Sequence, residues 1–288
     1  FAGDLISLFI FWEIMAVAST LVVLSAGGKR SYQISMRYFL IHVFGGTLLL
    51  IGILSHIVDT GSTAFTAMAP NTFGTIFILM GFLINAAAPP LSAWLSDAYP
   101  EASFSGAVFL SAFTTKAAVY VLLRGFPGSE VLIFIGVFMI FYGIIYALLE
   151  NDMRRILAYS IVNQVGFMVT GVGIGTEMAL NGVAAHAFTH IIYKGLLLMS
   201  AGSVLYMTGR RKCTDLGGLF QSMPLTAICS IIGALSISSF PLTSGFISKS
   251  MISQAAADES LTLVWFMLMA ASAGVFLHAG IKFPWFVF

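Results

Sequence analysis

The 288-residue chain is too apolar for a water-soluble protein. Hydrophobic residues make up 59% of it, charged residues only 9%, and its mean hydropathy is +0.98. This balance predicts an all-α, polytopic membrane protein. The net charge of +1 gives no sign of a nucleic-acid-binding surface. The two cysteines, Cys213 and Cys229, do not have the spacing of a metal site.

Nine segments are long and apolar enough to cross or enter a membrane. In chain order they cover approximately residues 4–26, 34–57, 73–95, 105–124, 131–149, 156–174, 178–207, 224–256 and 261–281. No soluble domain or long linker separates them, so we expect a single transmembrane domain over residues 1–288. Both ends lie in apolar sequence, so we also expect a longer protein of which this is the central piece, truncated at both ends.

The basic residues gather on one side of these segments when the first segment is taken to run inward. The opposite loops contain no lysine or arginine, and only Arg124 borders one of them. Cytoplasmic loops are the ones that carry an excess of these residues. The sequence therefore predicts a cytoplasmic side that holds nine of the thirteen basic residues, namely Lys29, Arg30, Arg37, Arg154, Arg155, Arg210, Arg211, Lys212 and Lys282.

The three remaining lysines, Lys116, Lys194 and Lys249, lie deep in apolar segments, as does the carboxylate of Glu13. Charged groups at the bilayer centre are rare, usually face the bundle interior and mark ion or proton routes. For Lys116 and Lys249, a permanent structural ion pair is the alternative, and Glu13 could be the partner of such a pair.

The segment around residues 181–200 carries most of the intramembrane polarity. His186, His190 and Lys194 follow one another at intervals of four, which places all three on one helical face. Such a face predicts a row of proton-binding groups. The alternative is three separately satisfied side chains, with the lysine reaching to the membrane surface.

Two segments contain prolines that must interrupt a helix. Pro89–Pro90 interrupts 81–100, and Pro241 with Gly245 is expected to interrupt 236–252, just ahead of Lys249. Broken helices in two halves of a chain are typical of ion-transport sites, although ordinary proline kinks are the alternative.

Other polar residues receive simpler interpretations. His42, His56 and His278 lie nearer segment ends, which favours the membrane interface. Asp97 and Glu101 are expected at the inner surface. His186 and His190 have a spacing that could bind zinc, but HAFTH lacks the glutamate of a metalloprotease motif. We find no nucleotide loop and no pattern for a cofactor, so none is predicted.

Taken together, these landmarks resemble the antiporter-like proton channel family. It comprises the large membrane-arm subunits of respiratory complex I, the A and D subunits of Mrp-type cation/proton antiporters, and their relatives in membrane-bound hydrogenases. The resemblance covers nearly the whole chain and is nearest to the branch of the Mrp D subunits. The stretches that carry it are FWEIMAV around Glu13, PPLSAWLSDAYPEAS at 89–103, TTKAAVYVLLR at 114–124, NDMRRILAYSIVNQVGFM at 151–168, HAFTHIIYKGLLLMSAGSV at 186–204, SSFPLTSGFISKSM at 238–251 and GIKFPWF at 280–286.

The resemblance implies a role for each intramembrane group, in a fold of two inverted repeats that each contain a broken helix. Glu13 matches the family's membrane carboxylate, Lys116 its central lysine and His190 the histidine of its polar axis. His186 lies one turn before that histidine. The remaining matches are Lys194, at a lysine of some subunits, and Lys249, at the terminal charged residue on the second broken helix.

One position departs from the family pattern. Asn85 stands where the family normally has a lysine paired with its carboxylate. Asparagine can hydrogen-bond Glu13 but cannot carry a proton, so the usual glutamate–lysine switch is in question in this half.

The resemblance predicts a proton-translocating subunit of a multisubunit Mrp-type cation/proton antiporter. Its partners would be other membrane subunits, protons and a monovalent cation, and its location a bacterial cytoplasmic membrane. The close alternative is a non-catalytic proton-pumping subunit of a complex I-like NADH:quinone oxidoreductase or a membrane-bound hydrogenase. A second alternative is a structural subunit that no longer conducts.

Overall fold

The computed structural model describes residues 2–288, and within them the chain is helical, with no extended strand. The helices are α1 (Leu5–Leu24), α2 (Gly28–Thr60), α3 (Phe73–Asn85), α4 (Ala93–Glu101), α5 (Phe104–Gly125), α6 (Val131–Leu149), α7 (Met153–Ile174), α8 (Glu177–Thr208), α9 (Pro224–Ile237), α10 (Ser244–Asp258), α11 (Thr262–Val275) and α12 (Phe283–Val287). A π-helical turn, Phe276–Lys282, joins the last two into one continuous helical span.

Seven continuous spans are long and apolar enough to cross a membrane: α1, α2, α5, α6, α7, α8 and the run from α11 to α12. Two interrupted pairs, α3 with α4 and α9 with α10, occupy the other two predicted segments. Each of the nine predicted segments therefore has a helical counterpart, although several helices extend beyond the predicted bounds. The all-α membrane fold is confirmed.

Capping residues in the short loops determine where these helices begin and end. Asp4, Ser103 and Asp152 precede α1, α5 and α7, and each side chain accepts a hydrogen bond from a first-turn N–H. These bonds satisfy N–H groups that have no partner inside the helix. Gly175 and Gly209 end α7 and α8 with left-handed φ angles of 73° and 67°, which glycine adopts without steric cost.

The central helix is α7, which is buried along its whole apolar span. Glycines let α6 approach it closely. A Cβ added at Gly136 would lie 2.5 Å from the backbone nitrogen of Thr170, and one at Gly143 would lie 2.7 Å from that of Asn163. Small residues at such contacts allow two helix backbones to pack directly in a membrane. This contact fixes the position of the polar side chains that α7 presents to α8.

The first predicted interruption is confirmed, and the second differs in detail. Pro89–Pro90 lies between α3 and α4. Pro241 lies between α9 and α10, but Gly245 is in the first turn of α10 and does not interrupt it. A Cβ at Gly245 would overlap the carbonyl oxygen of Ser236. The glycine is therefore required because α10 starts directly against the end of α9.

Ion pairs collect at the end of the bundle that the positive-inside rule assigns to the cytoplasm. Arg37 contacts Asp97 at 2.9 Å, while Glu101 contacts Arg30 at 3.1 Å and Arg211 at 2.8 Å. Asp97 and Glu101 thus lie among the basic residues of this side, as predicted. Exposed pairs of this kind contribute little individually. Together they join α2, α4 and the segment after α8.

Arg154 makes a different contact at the same end. Its guanidinium is buried and donates hydrogen bonds to the carbonyl oxygens of Tyr99, Pro100 and Ala102 at 3.3, 2.7 and 3.0 Å. These carbonyls lie at the C-terminal end of α4, where a cation interacts favourably with the helix dipole. The second half of the first broken helix is therefore attached to α7.

Candidate functional site

The polar face of α8 points into the protein. His186, His190 and Lys194 all have no solvent-exposed surface, which confirms that their shared face is directed to the interior. Lys194 does not reach to the membrane surface, so the snorkelling alternative is wrong for it. The four-residue spacing is the cause, because it stacks the three side chains one turn apart on the side that meets α5, α7 and α10.

His186 is the best-held member of this face. Its Nδ1 lies 2.8 Å from Ser248 Oγ on α10, and its Nε2 lies 3.1 Å from Gln164 Oε1 on α7. Gln164 Nε2 in turn donates to Asn163 Oδ1 at 2.7 Å. The imidazole therefore bridges two helices through two hydrogen bonds, and the sequence analysis did not single out any of these partners.

His190 and Lys194 differ from His186 in their hydrogen bonding. Within residues 2–288, neither the two ring nitrogens of His190 nor the ammonium of Lys194 has a hydrogen-bond partner. The His190 ring centroid lies 6.1 Å from that of His186 and 5.3 Å from that of Tyr193. The described residues also contain no group of three or more possible metal ligands.

Lys116 enters the same region from α5. Its ammonium is buried and donates to the carbonyl oxygen of Ser111 at 2.8 Å and to Thr115 Oγ1 at 3.2 Å, both on its own helix. It lies near enough to Lys194 and His190 to interact with both electrostatically. Lys116 therefore forms one end of a group of buried bases.

Lys249 forms the other end, in the second turn of α10. Its ammonium is buried, donates to the carbonyl oxygen of Ile237 at 2.8 Å and lies 4.7 Å from the ring centroid of Phe167. The Phe167 ring also contacts His186, with the centroids 6.4 Å apart. A lysine at a helix C-terminus with an aromatic ring beneath it is a favourable site for a cation.

Within residues 2–288, no acidic side chain forms an ion pair with these buried bases. In the part of the chain that the structure describes, every ion pair lies among the charged residues of the inner end, and none includes Lys116, Lys194 or Lys249. The structural ion-pair alternative is therefore wrong for Lys116 and Lys249 within residues 2–288. Glu13 is half-buried and is not the partner of either lysine.

Asn85 could hydrogen-bond Glu13, but within residues 2–288 the two side chains do not form this bond. Neither amide atom of Asn85 has a partner within residues 2–288, and Glu13 Oε1 has none there either. Glu13 lies instead against Gly46 of α2, where an added Cβ would overlap its carboxylate. Asn85 lies near His42, whose ring stacks on Tyr38 with the centroids 4.0 Å apart. The first broken helix thus has no ionisable partner for Glu13.

A family comparison identifies this arrangement. A family model described as NADH:quinone oxidoreductase/Mrp antiporter, transmembrane region, matches residues 2–276. The chain belongs to this family. The match spans both broken helices and every residue of the polar row.

Two curated relatives of this NADH:quinone oxidoreductase/Mrp antiporter family illustrate its range. The chain is 32% identical over 268 residues to the D subunit of the Na(+)/H(+) antiporter of Alkalihalophilus pseudofirmus, covering 86% of this chain and 54% of that protein. It is 34% identical over 268 residues to the N subunit of the NADH-quinone oxidoreductase of Desulforudis audaxviator, covering 86% and 53%. The chain therefore spans about half the length of these relatives.

A solved structure supports the same assignment. The Mrp complex from a Dietzia species contains a chain with a TM-score of 0.92 and 25% identity, and the match covers 99% of this chain and 57% of that one. The helix arrangement of that chain of the Mrp complex is thus present here over nearly the whole of this chain.

Two histidines of this family member lie elsewhere than predicted. His42 and His278 were expected at the membrane interface, but both are buried in the interior. Each Nδ1 donates to the carbonyl oxygen four residues earlier, Tyr38 for one and Gly274 for the other, while each Nε2 has no partner within residues 2–288. The prediction placed both histidines near segment ends, but α2 and the α11–α12 span extend beyond the predicted segments. The two side chains therefore lie further from the helix ends than the sequence indicated.

Proposed function

We propose that the chain is the proton-translocating core of a membrane subunit in a multisubunit Mrp-type cation/proton antiporter. The observation that carries the proposal is a row of buried bases that have no acidic partner among residues 2–288: Lys116, Lys194, His190, His186 and Lys249. Burying even one such group in a membrane is costly, and buried groups of this type are retained chiefly in ion and proton routes.

The chemistry of the row supports stepwise proton transfer. Lysine and histidine both bind a proton as bases and release it again, and His186 and His190 are of a type that commonly exchanges protons near neutral pH. Since every member is a base, a positive charge on one disfavours a positive charge on its neighbour. A proton that arrives at one end therefore promotes release further along.

In this proposal Lys116, at the α5 end of the row, is the relay that corresponds to the family's central lysine. His186 and His190 are the lateral link with Lys194 beside them, and Lys249 is the terminal group. Glu13 is half-buried in the first half and would attract a proton toward that end. Because Asn85 cannot exchange a proton, the first half does not use a glutamate–lysine switch. The subunit itself would carry out no chemical catalysis and would need no bound cofactor.

The wider assignments belong to the same proposal. The partners would be other membrane subunits of the complex, the transported species a proton and a monovalent cation, and the location a bacterial cytoplasmic membrane. One observation favours a second candidate: the 34% identical relative belongs to an NADH-quinone oxidoreductase. There the same row would be driven by electron transfer in other subunits.

The test is proton movement in inverted vesicles that contain the full assembled complex. Lys116→Ala should abolish formation of the pH gradient, and Lys116→Arg should do the same, because arginine stays protonated and cannot release its proton. Lys212→Ala is the matched control, since it removes a positive charge from an exposed position.

The outcomes distinguish the candidate functions. If Lys116→Arg transports normally, Lys116 is a structural cation and the relay is wrong. If Lys116→Ala also transports normally, the subunit is a non-conducting one. A pH gradient that depends on added sodium or potassium supports the antiporter, and one that depends on an electron donor and a quinone supports the redox-driven complex.

A further inference from the structure

Both ring nitrogens of His186 have protein partners, whereas within residues 2–288 those of His190 have none. Ser248 Oγ lies 2.8 Å from Nδ1, and Gln164 Oε1 lies 3.1 Å from Nε2. A neutral imidazole carries one hydrogen, so one nitrogen donates and the other accepts. Which nitrogen does which is decided by these partners.

The α7 side permits only one answer. Gln164 Nε2 donates to Asn163 Oδ1 at 2.7 Å, so the amide is oriented with its oxygen toward His186. The Tyr193 hydroxyl donates to the same oxygen at 3.4 Å. A carbonyl oxygen can only accept, so with the amide in this orientation His186 Nε2 carries the hydrogen. The Tyr193 hydroxyl also lies 3.5 Å from Nε2, and its hydrogen goes to Gln164 Oε1. The side chains of Asn163, Gln164 and Tyr193 are all buried. The close packing of α6 on α7 at Asn163 keeps the two amides in place.

The α10 side permits two states. Ser248 Oγ can donate to the unprotonated Nδ1, and it also lies 3.3 Å from the carbonyl oxygen of Ser244 and 3.4 Å from that of Gly245. When Nδ1 gains a proton it becomes a donor to Ser248 Oγ, and the hydroxyl hydrogen turns to one of those carbonyl oxygens. The same hydroxyl therefore stabilises both protonation states without a change of backbone.

We propose that Gln164 and Ser248 are positioning residues that make Nδ1, on the side of α10, the only nitrogen of His186 that gains and loses a proton. The inference rests on the proposed function, because it concerns the direction in which His186 exchanges a proton. The exchange forms one N–H bond at Nδ1 when a proton arrives from the side of α10 and breaks that same bond when the proton returns to that side, and the Nε2–H bond is never broken.

The position of Ser248 determines the side on which His186 exchanges its proton. Ser248 immediately precedes Lys249, and its two alternative acceptors are carbonyls of the first turn of α10. His186 therefore exchanges its proton on the side of the row where Lys249 lies. The other neighbours are not placed for that role. Phe167 is apolar and Gln164 is already bonded, while the Tyr193 hydroxyl lies 3.5 Å from Nε2, the nitrogen that keeps its hydrogen. His190 lies on the same helix one turn on, with its ring centroid 6.1 Å away.

The first experiment reads the tautomer directly. The assembled complex is labelled with ¹⁵N-histidine, and the His186 signals are identified by their loss in His186→Gln. We expect a protonated Nε2 and an unprotonated Nδ1 in the neutral ring, and a mixture of tautomers in Gln164→Leu. A native ring with its hydrogen on Nδ1 would overturn the inference.

The second experiment reads transport in inverted vesicles. Ser248→Ala should slow proton movement about tenfold, as expected when a buried group loses its hydrogen-bond partner, and Ser248→Thr should restore it by returning the hydroxyl. Ser230→Ala is the matched control, because that hydroxyl is equally buried and has no partner within residues 2–288. Its transport should stay at the native rate.

The two proposals fail separately. If His186→Gln transports normally, His186 is not in the route, and the proposed role of this residue fails. If His186→Gln is inactive while Ser248→Ala and Gln164→Leu transport normally, the route stands and the positioning inference fails.

Discussion

The two broken helices are built alike but differ in the group that holds each break together. At the first, the Ile84 carbonyl oxygen near the end of α3 accepts a hydrogen bond from the indole nitrogen of Trp94 at 3.0 Å. At the second, the Ile237 carbonyl oxygen at the end of α9 accepts one from the ammonium of Lys249 at 2.8 Å. In both, a residue of the second half-helix reaches back to the first.

The difference is one of charge. The Trp94 N–H is neutral and permanent, and the neighbouring Asn85 cannot ionise. Lys249 places a positive charge at a helix C-terminus, where the helix dipole stabilises it. That stabilisation depends on a proton that the lysine can lose. We therefore expect the second break to be sensitive to protonation and the first to be insensitive to it.

The breaks also differ in exposure. The backbone of the first passes through Ala86, Ala87 and Ala88, which are all buried, and then through Pro90, which is exposed. Leu242 in the second is fully exposed, and its N–H has no acceptor within residues 2–288. The α9 and α10 helices are 14 and 15 residues long, so this break lies near the middle of its crossing. Irregular backbone at that depth is tolerated only where protein or water covers it.

The largest effect is expected at the charged break. Lys249→Met keeps the length of the side chain and removes its proton, so transport in inverted vesicles should fall by roughly 100-fold or more, the size of a lost proton-transfer group. Subunit assembly, measured by co-purification, should be unchanged. Transport near the native rate would show that the two breaks are equivalent.

Because the second break is exposed, we predict that protein from outside residues 2–288 covers it in the assembled complex. Leu242→Cys, in a background with Cys229→Ser, should react with a membrane-permeant thiol reagent after the subunit is separated from its complex but not within the complex. Thr214→Cys, on an exposed loop, should react in both. Equal labelling of Leu242→Cys in both preparations would mean that lipid or water covers this break.

The neutral break should affect stability and not transport. Trp94→Phe removes the indole donor, and one hydrogen bond inside a membrane protein contributes roughly 0.6–2 kcal/mol. Thermal denaturation should therefore begin at a lower temperature, while the transport rate per folded complex stays close to native. A transport defect as large as that of Lys249→Met would contradict the distinction between the breaks.

The smallest effect is expected at Asn85. Its amide has no hydrogen-bond partner within residues 2–288, and replacing an unsatisfied polar group with an apolar one of similar size is nearly neutral or stabilising. Asn85→Leu should thus leave both transport and stability close to native. A strong loss of transport would assign the amide a role in the proton route.

Strong local patterns made the fold and the polar row predictable. The long apolar segments, the proline pair at 89–90 and the four-residue spacing of His186, His190 and Lys194 each depend on chemistry within one element. The inner-end positions of Asp97 and Glu101 followed from the distribution of basic residues in the same way.

Contacts between elements were not predictable. Gln164 and Ser248 are 22 and 62 residues from His186, and nothing in either segment indicates a contact with His186. The adjacent amides of Asn163 and Gln164 in the middle of α7 were a signal of buried polarity, but not of its partner. The prediction for Gly245 was wrong because this glycine lets α10 pack against the carbonyl oxygen of Ser236. A glycine needed for such a tertiary contact looks the same in the sequence as a glycine that interrupts a helix.

The glycine contact between α6 and α7 bears on the speed of transport. With Gly136 and Gly143 packed against its backbone, α7 has no room to rotate or slide, so Gln164 stays at a constant place beside α8. Rotation of a hydroxyl or an imidazole is intrinsically faster than collective helix motion, which takes microseconds to milliseconds. We therefore expect proton exchange at His186 Nδ1 to proceed at a rate set by side-chain reorientation, with slower helix movements reserved for steps elsewhere in the complex.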